Sequence, residues 1–124
     1  MLILDVEKTG DVAVVRCSGR VVRGEAVRSL RNTVVSERDT RIVVLDLSEV
    51  EMIDAGGLTA LVCLHHWSRS RGIQLKLVNP SHFVREVLDR TRLSEVFEIS
   101  SFRDVLNILR GERPPDLRHA ACCC

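Results

Sequence analysis

Apolar and polar positions follow two different periods along this chain, and those periods predict its secondary structure. Residues 2–7 and 12–17 have the apolar, β-branched character of strands, and the short turn around Gly10 between them predicts a hairpin. From Gly24 onward apolar residues recur at helical spacing with arginines between them, which predicts an amphipathic helix on a sheet. The continuous apolar run of residues 42–45 is typical of a central strand covered on both faces.

The second half of the chain continues this alternation of strands and helices. A helix is predicted over about residues 55–71, apolar on much of its circumference, with Gly72 placed to cap its C-terminus. In residues 73–77 apolar and polar side chains then alternate as in a strand. The remaining elements are expected to be a helix after Asn79-Pro80-Ser81, a strand over 96–99 and a last helix from a capping box at 101–104 to Arg110.

The predicted order of elements places the chain in the α/β class, with right-handed crossovers between parallel strands. At 124 residues the chain suits one domain that buries its own core. We expect this domain to span residues 1–111, because Gly111 and Pro114-Pro115 interrupt the pattern there. Residues 112–124 are then predicted to form a flexible C-terminal tail.

Composition excludes several partners. Lys plus Arg number 18 against 17 Asp plus Glu, a net charge of +1, so no basic field points to nucleic acid or to an anionic membrane. The start of the chain lacks the pattern of a signal peptide, and no apolar run is long enough to span a bilayer. A cytoplasmic protein without membrane insertion is expected.

The most informative stretch is Asp54-Ala55-Gly56-Gly57-Leu58, where a buried strand is expected to turn into a helix. Asp54 is suited to be the N-cap, with its carboxylate accepting from the amide of Gly56 or Gly57. Each glycine costs about 1 kcal/mol relative to alanine inside a helix, less in the first turn. The pair therefore indicates a close backbone approach, either by a binding partner or by the chain's own neighbouring loop.

This stretch belongs to a larger pattern. The order of elements, together with Val44-Leu45-Asp46-Leu47-Ser48, residues 53–58 and Leu77-Val78-Asn79-Pro80, resembles the STAS domain, named for sulfate transporters and anti-sigma-factor antagonists. The resemblance covers roughly residues 2–110. It implies a central mixed β-sheet of about five strands, with about four α-helices mainly on one face.

The resemblance also implies a function. In bacterial antagonists of this family, an anti-sigma factor that is also a serine kinase phosphorylates the Ser or Thr immediately after the motif aspartate. The dephosphorylated antagonist binds that kinase and releases the sigma factor. Here Ala55 occupies the acceptor position and has no oxygen to phosphorylate. The resemblance therefore implies a noncatalytic, partner-switching regulator that is locked in the equivalent of the binding-competent state.

A binding face follows from the same resemblance, centred on Asp54–Leu58 and on the neighbouring loop. The loop departs from the family, which often has an acidic residue near Val22. Thr59 and Ser48 are candidate substitute phosphoacceptors, although an ordinary helix-surface threonine and a loop serine are the simpler interpretation. The residues of the loop that are expected to contact a partner are Gly19, Arg20, Val21, Val22 and Arg23.

Other functions stay open from the sequence. A stand-alone STAS subunit could dock on the ATPase of a lipid-transport ABC system, or the chain could self-associate in a scaffold through exposed strand edges. A different class of function is a membrane-tethered or redox-responsive protein acting through the tail cysteines Cys122–Cys124.

No enzyme, cofactor or metal site is expected. The chain shows no nucleophile and base pair, paired-carboxylate site, Walker loop or dinucleotide fingerprint. His65 and His66 point about 100° apart on a helix, so they cannot both ligate one metal. Cys63 and His66 have ligand spacing but no companion pair, and we expect Cys17 and Cys63 to be buried thiols.

Overall fold

A computed structural model of the chain describes residues 2–37 and 39–100, and it confirms the predicted order of elements over that part. The predicted last helix (residues 101–110) and the predicted tail (112–124) lie outside the described residues. In chain order the elements are β1 (Leu2–Thr9), β2 (Val12–Val21), α1 (Glu25–Val35), β3 (Ile42–Ile53), α2 (Ala55–Ser70), β4 (Gln74–Val78), α3 (His82–Arg90), a 3-10 turn (Leu93–Glu95) and β5 (Glu98–Ser100).

The five described strands form one mixed sheet in the order β1-β2-β3-β4-β5. β1 and β2 are antiparallel and pair from Leu2↔Gly19 to Thr9↔Val12, as the predicted hairpin requires. Gly10 opens the two-residue turn with φ +61°, a backbone conformation that favours glycine. The other neighbouring strands are parallel, so α1, α2 and α3 are the crossovers between them.

The main core lies between the sheet and these three helices, all on the same face. Alternate sheet residues such as Val43, Leu45 and Leu77 point into it, because side chains of a strand alternate between faces. A smaller apolar cluster, which includes Val44 and Val78, lies on the opposite face and contains no residue of α1, α2 or α3. The helices contribute Leu30 and Val34 from α1, Leu61 and Leu64 from α2, and Val84 and Leu88 from α3.

β3 is longer than the sequence pattern predicted and is irregular in its second half. Its pairing with β2 shifts after Asp46 and again before Met52, so β3 holds an extra residue at each place. The Oδ1 of Asp46 accepts from the backbone N–H of Ser48 at 3.0 Å and from its hydroxyl at 2.7 Å. The interpretation of Ser48 as a loop serine is wrong, because these bonds lie in a bulge and the strand continues to Ile53.

The predicted C-terminal cap of α2 is confirmed, whereas the predicted start of the last strand is wrong. Gly72, with φ +71°, caps α2 as expected: its N–H donates to the carbonyl of Arg69 at 3.2 Å, and the next N–H donates to Ser68 at 2.8 Å. The strand predicted over 96–99 instead begins at Glu98, after the 3-10 turn. In that segment Phe97 is buried and Ile99 packs against the main core, whereas Val96 is exposed.

Candidate functional site

Asp54 lies where β3 passes into α2, and its carboxylate holds two parts of the chain together. Its Oδ1 accepts from the N–H of Gly57 at 2.8 Å, which confirms the predicted N-cap. Both carboxylate oxygens also accept from the N–H of Arg23, at 3.2 and 3.1 Å. These hydrogen bonds, from Arg23 first and from Gly57 next, hold the pKa of Asp54 below its ordinary value. The side chain is therefore a carboxylate at neutral pH.

The loop before α1 makes the close approach that the paired glycines require. A Cβ on Gly57 would lie 2.2 Å from the carbonyl oxygen of Val21, and one on Gly56 would lie 2.7 Å from the Cβ of Arg23. The same Val21 carbonyl accepts from the N–H of Asp54 at 3.4 Å. The chain's own neighbouring loop, and not a partner, accounts for the absence of side chains at both positions.

The structure divides the predicted binding residues into a surface set and a supporting set. Val21 belongs to the main core and Gly57 is buried beneath the loop, so neither presents a side chain to solvent. Gly19 and Gly56 are partly buried backbone positions. Ala55 is exposed as the first residue of α2. We call Ala55 and its neighbours the α2 entry face, which consists of the side chains of Val22, Arg23, Ala55 and Leu58. The predicted binding residue Arg20 instead lines a groove with Ile3 and Glu51, away from Ala55.

Both candidate substitute phosphoacceptors are exposed, and both hydroxyls already donate within the chain. The Oγ1 of Thr59 donates to the carbonyl of Ala55 at 2.9 Å, one helical turn back. The hydroxyl of Ser48 belongs to the Asp46 bulge and not to a loop, as described above. Both residues stay candidates only, with the ordinary structural role as the simpler interpretation.

The remaining candidate chemistry lies elsewhere in the fold. Cys17 is buried, as predicted, and its pKa is raised to about 12, first by burial and then by the charge of Asp46. Cys63 is exposed, so the prediction that it packs in the core is wrong. The ring of His65 contacts Phe97 edge-on, with centroids 5.5 Å apart. Within residues 2–37 and 39–100 no cluster of three metal-ligating side chains occurs.

The chain is similar to a known protein family and to solved structures. Residues 4–105 match the model of the STAS domain. The chain belongs to the STAS domain family. The Asp54–Leu58 stretch lies inside the matched range, at the start of the second helix of the domain. None of the described helices is both long and apolar enough to cross a lipid bilayer.

Solved structures of anti-sigma-factor antagonists share the fold at low sequence identity. The anti-sigma-factor antagonist SpoIIAA in its unphosphorylated form is 16% identical, with a TM-score of 0.74 over 90% of this chain and 100% of that one. An antagonist of this type, described as putative, from Thermotoga maritima is 23% identical, with a TM-score of 0.76 over 86% of this chain and 94% of its own. An anti-sigma-factor antagonist from Mycobacterium paratuberculosis is 23% identical, with a TM-score of 0.68 over 89% and 95%.

Proposed function

We propose that this STAS protein is a noncatalytic regulator that binds an anti-sigma factor with a serine-kinase-like domain through the α2 entry face. The observation that carries the proposal is the exposure of Ala55 on the first residue of α2, directly after the capping carboxylate. This is the position at which the family resemblance expects the phosphorylated hydroxyl. The match in fold to solved antagonists along nearly their whole length supports the same class of function.

Alanine at this position fixes the state of the face. A phosphate on residue 55 would add nearly two negative charges next to the Asp54 carboxylate, only partly offset by the helix dipole. That repulsion and bulk would change the docked surface without refolding the domain. Ala55 carries a methyl group instead, so the face keeps the charge and shape of the unmodified state. We infer that the protein is controlled by its amount or by competition for its partner.

The backbone around Ala55 is held in place before any partner arrives. The carboxylate of Asp54 bonds the loop at Arg23 and the helix at Gly57, so both halves of the face are fixed to each other. Val21 anchors the loop in the core from beneath. A face whose elements are already ordered loses less conformational entropy on binding, which favours affinity.

A pull-down from lysate of the native organism tests this function. Wild type and Ala55→Glu serve as baits, because the glutamate places a negative charge where the phosphate would be. Asn32→Glu is the matched control: Asn32 is also an exposed helical position, and the substitution makes the same change in charge on α1. Bound proteins are identified by mass spectrometry, and the wild-type bait is checked for phosphate.

The expected result is capture of a protein with a serine-kinase-like domain by wild type and Asn32→Glu, and its loss with Ala55→Glu. Equal capture by all three baits would show that another surface binds. Capture of a transporter ATPase and its permease in place of the kinase would assign the chain to the transport alternative and reject the proposal. Capture of no protein by any bait would also count against it.

A further inference from the structure

β1 is the outer strand of the described sheet. The hydrogen bonds of β2 show which backbone groups of β1 face away from the sheet. In β2, and at Asp11 just before it, the carbonyl groups of odd-numbered residues point towards β3. Asp11 accepts from the N–H of Arg41 at 2.7 Å, and Val21 accepts from the N–H of Asp54. Because successive residues of a strand bond to opposite sides, the even residues of β2 bond to β1.

The pairing register carries this alternation across to β1. The even positions of β2 lie opposite Ile3, Asp5, Glu7 and Thr9. Those four residues therefore use their backbone groups within the sheet. The N–H and C=O groups of the other alternate residues point outward from the edge; these residues are Leu2, Leu4, Val6 and Lys8.

This edge lacks most of the features that protect outer strands from pairing. β1 contains no proline, and its register with β2 is unbroken over its length, so no bulge turns it away. Two of its apolar side chains, Ile3 and Val6, are 57% and 40% exposed. Lys8 is the one basic side chain on the strand, and it is 3.1 Å from the Glu37 carboxylate of the same chain. An added strand would find the outward groups accessible.

The charges on β1 indicate what kind of strand would fit. Asp5 and Glu7 lie two residues apart, so they share one face, and both are exposed. Neither forms a salt bridge within the described part of the chain. Arg16, opposite Asp5 on β2, has its Nε 3.9 Å from the Asp46 carboxylate instead. Among the described residues, the edge thus presents two carboxylates that no salt bridge neutralises.

A second copy of the same strand does not complement this pattern. Antiparallel self-pairing must place outward residues opposite outward residues. If Leu4 pairs with Val6 of another copy, Asp5 lies opposite its own equivalent. If Val6 pairs with Val6, Asp5 lies opposite Glu7. Both of the longest registers therefore bring like charges face to face, which destabilises cross-strand pairs.

We propose that the β1 edge docks an extended basic segment of another protein as an additional antiparallel strand. The segment carries Lys or Arg at two positions spaced i, i+2, opposite Asp5 and Glu7. Uncharged β-forming residues alternate with them and exchange hydrogen bonds with the outward groups of Leu4, Val6 and Lys8. This surface is separate from the α2 entry face and does not depend on the function proposed for it.

The proposal is tested with a fluorescein-labelled peptide, Thr-Val-Lys-Val-Arg-Val-Thr, titrated with the whole protein and followed by anisotropy. Two control peptides accompany it, one with glutamate in place of the basic residues and one N-methylated at the central valine. Two protein variants probe the edge. Asp5→Lys with Glu7→Lys reverses its charge, and Val6→Pro removes an outward N–H that the sheet of the chain itself does not use. Circular dichroism checks that both variants fold.

The basic peptide is expected to bind wild type, with affinity at least about fivefold weaker for the charge-reversed variant, which should prefer the acidic peptide. Val6→Pro and the N-methylated peptide should each weaken binding to a similar extent. Loss on charge reversal with no effect of Val6→Pro or N-methylation would show mere ionic attraction and overturn the proposal. Absence of peptide binding, or a wild-type dimer that Val6→Pro dissociates, would also overturn it.

Discussion

Two strand-to-helix junctions lie side by side at one end of the sheet, and they are built differently. β2 passes into α1 through Gly24, which has φ +113° and no side-chain cap. β3 passes into α2 through Asp54, whose carboxylate caps the helix. Yet the N–H of Arg23, in the first junction, donates to the carboxylate of the second. The comparison shows that one acidic side chain organises both junctions, so the α2 entry face is a single unit.

The largest effect is expected from Gly57→Ala. Helix propensity alone predicts a gain for this change, smaller than the roughly 1 kcal/mol of a helix interior because Gly57 lies in the first turn of α2. The new Cβ would instead lie 2.2 Å from the Val21 carbonyl oxygen, a collision of backbone with side chain that relaxes poorly. We expect a loss of about 1–3 kcal/mol in the free energy of unfolding, measured by urea denaturation.

Gly24→Ala is the comparison from the other junction. A Cβ on Gly24 would meet nothing within 4 Å, so any loss there comes from the strained torsion of +113° alone. A Gly57→Ala protein as stable as wild type would contradict the tight packing of the two junctions against each other.

The next effect tests the shared carboxylate. In Asp54→Ala the amides of both Arg23 and Gly57 lose their acceptor, so both should exchange with solvent several-fold faster. Hydrogen exchange followed by NMR measures this residue by residue. The amide of Arg28 donates to the Gly24 carbonyl inside α1 and serves as the internal control, with little change expected. If only Gly57 responded, the two junctions would be independent.

The third prediction concerns pH. The folded-state pKa of Asp54 is lowered from 3.8, so the carboxylate stabilises the fold fully above that unfolded value. This contribution is lost as the pH falls below 3.8 and through the folded pKa. Asp54→Asn keeps a neutral capping oxygen. The difference in unfolding free energy between wild type and this variant should therefore shrink as the pH falls from about 6 to about 3. A difference that stayed constant would mean that the charge is not involved.

The smallest effect is expected from Thr59→Ala. The hydroxyl is exposed and donates to a carbonyl of its own helix, a bond that contributes little to helix stability. The free energy of unfolding should change by less than about 0.5 kcal/mol. Partner binding should also be unchanged if the α2 entry face does not depend on Thr59. Loss of binding in this variant would extend the face by one helical turn.

Much of the fold could be predicted because its signals are local. Strand and helix periods predict the order of the elements, and the positions of Gly72 and Asp54 at helix ends predict that they act as caps. The need for a close backbone approach was also visible in Gly56 and Gly57. Each of these features depends on residues within a few positions of one another, so a single sequence carries the information.

The failures concern contacts between distant residues. Arg23 and Asp54 are 31 positions apart, and no local pattern shows that the amide of one donates to the other. The bulges that carry β3 to Ile53 depend on pairing with β2. The exposure of Cys63 has no clear signal in the sequence, because α2 is apolar on much of its circumference and the residue types do not mark its outer side.

The most direct test of the account places a hydroxyl on the α2 entry face. Wild type and Ala55→Ser are each incubated with the partner kinase captured in the pull-down, with and without ATP and magnesium, and both complex and phosphate are measured. The account predicts that wild type stays bound and unmodified in ATP, whereas Ala55→Ser is phosphorylated at the new serine and released. Release of wild type in ATP, or a serine that is never phosphorylated, would contradict it.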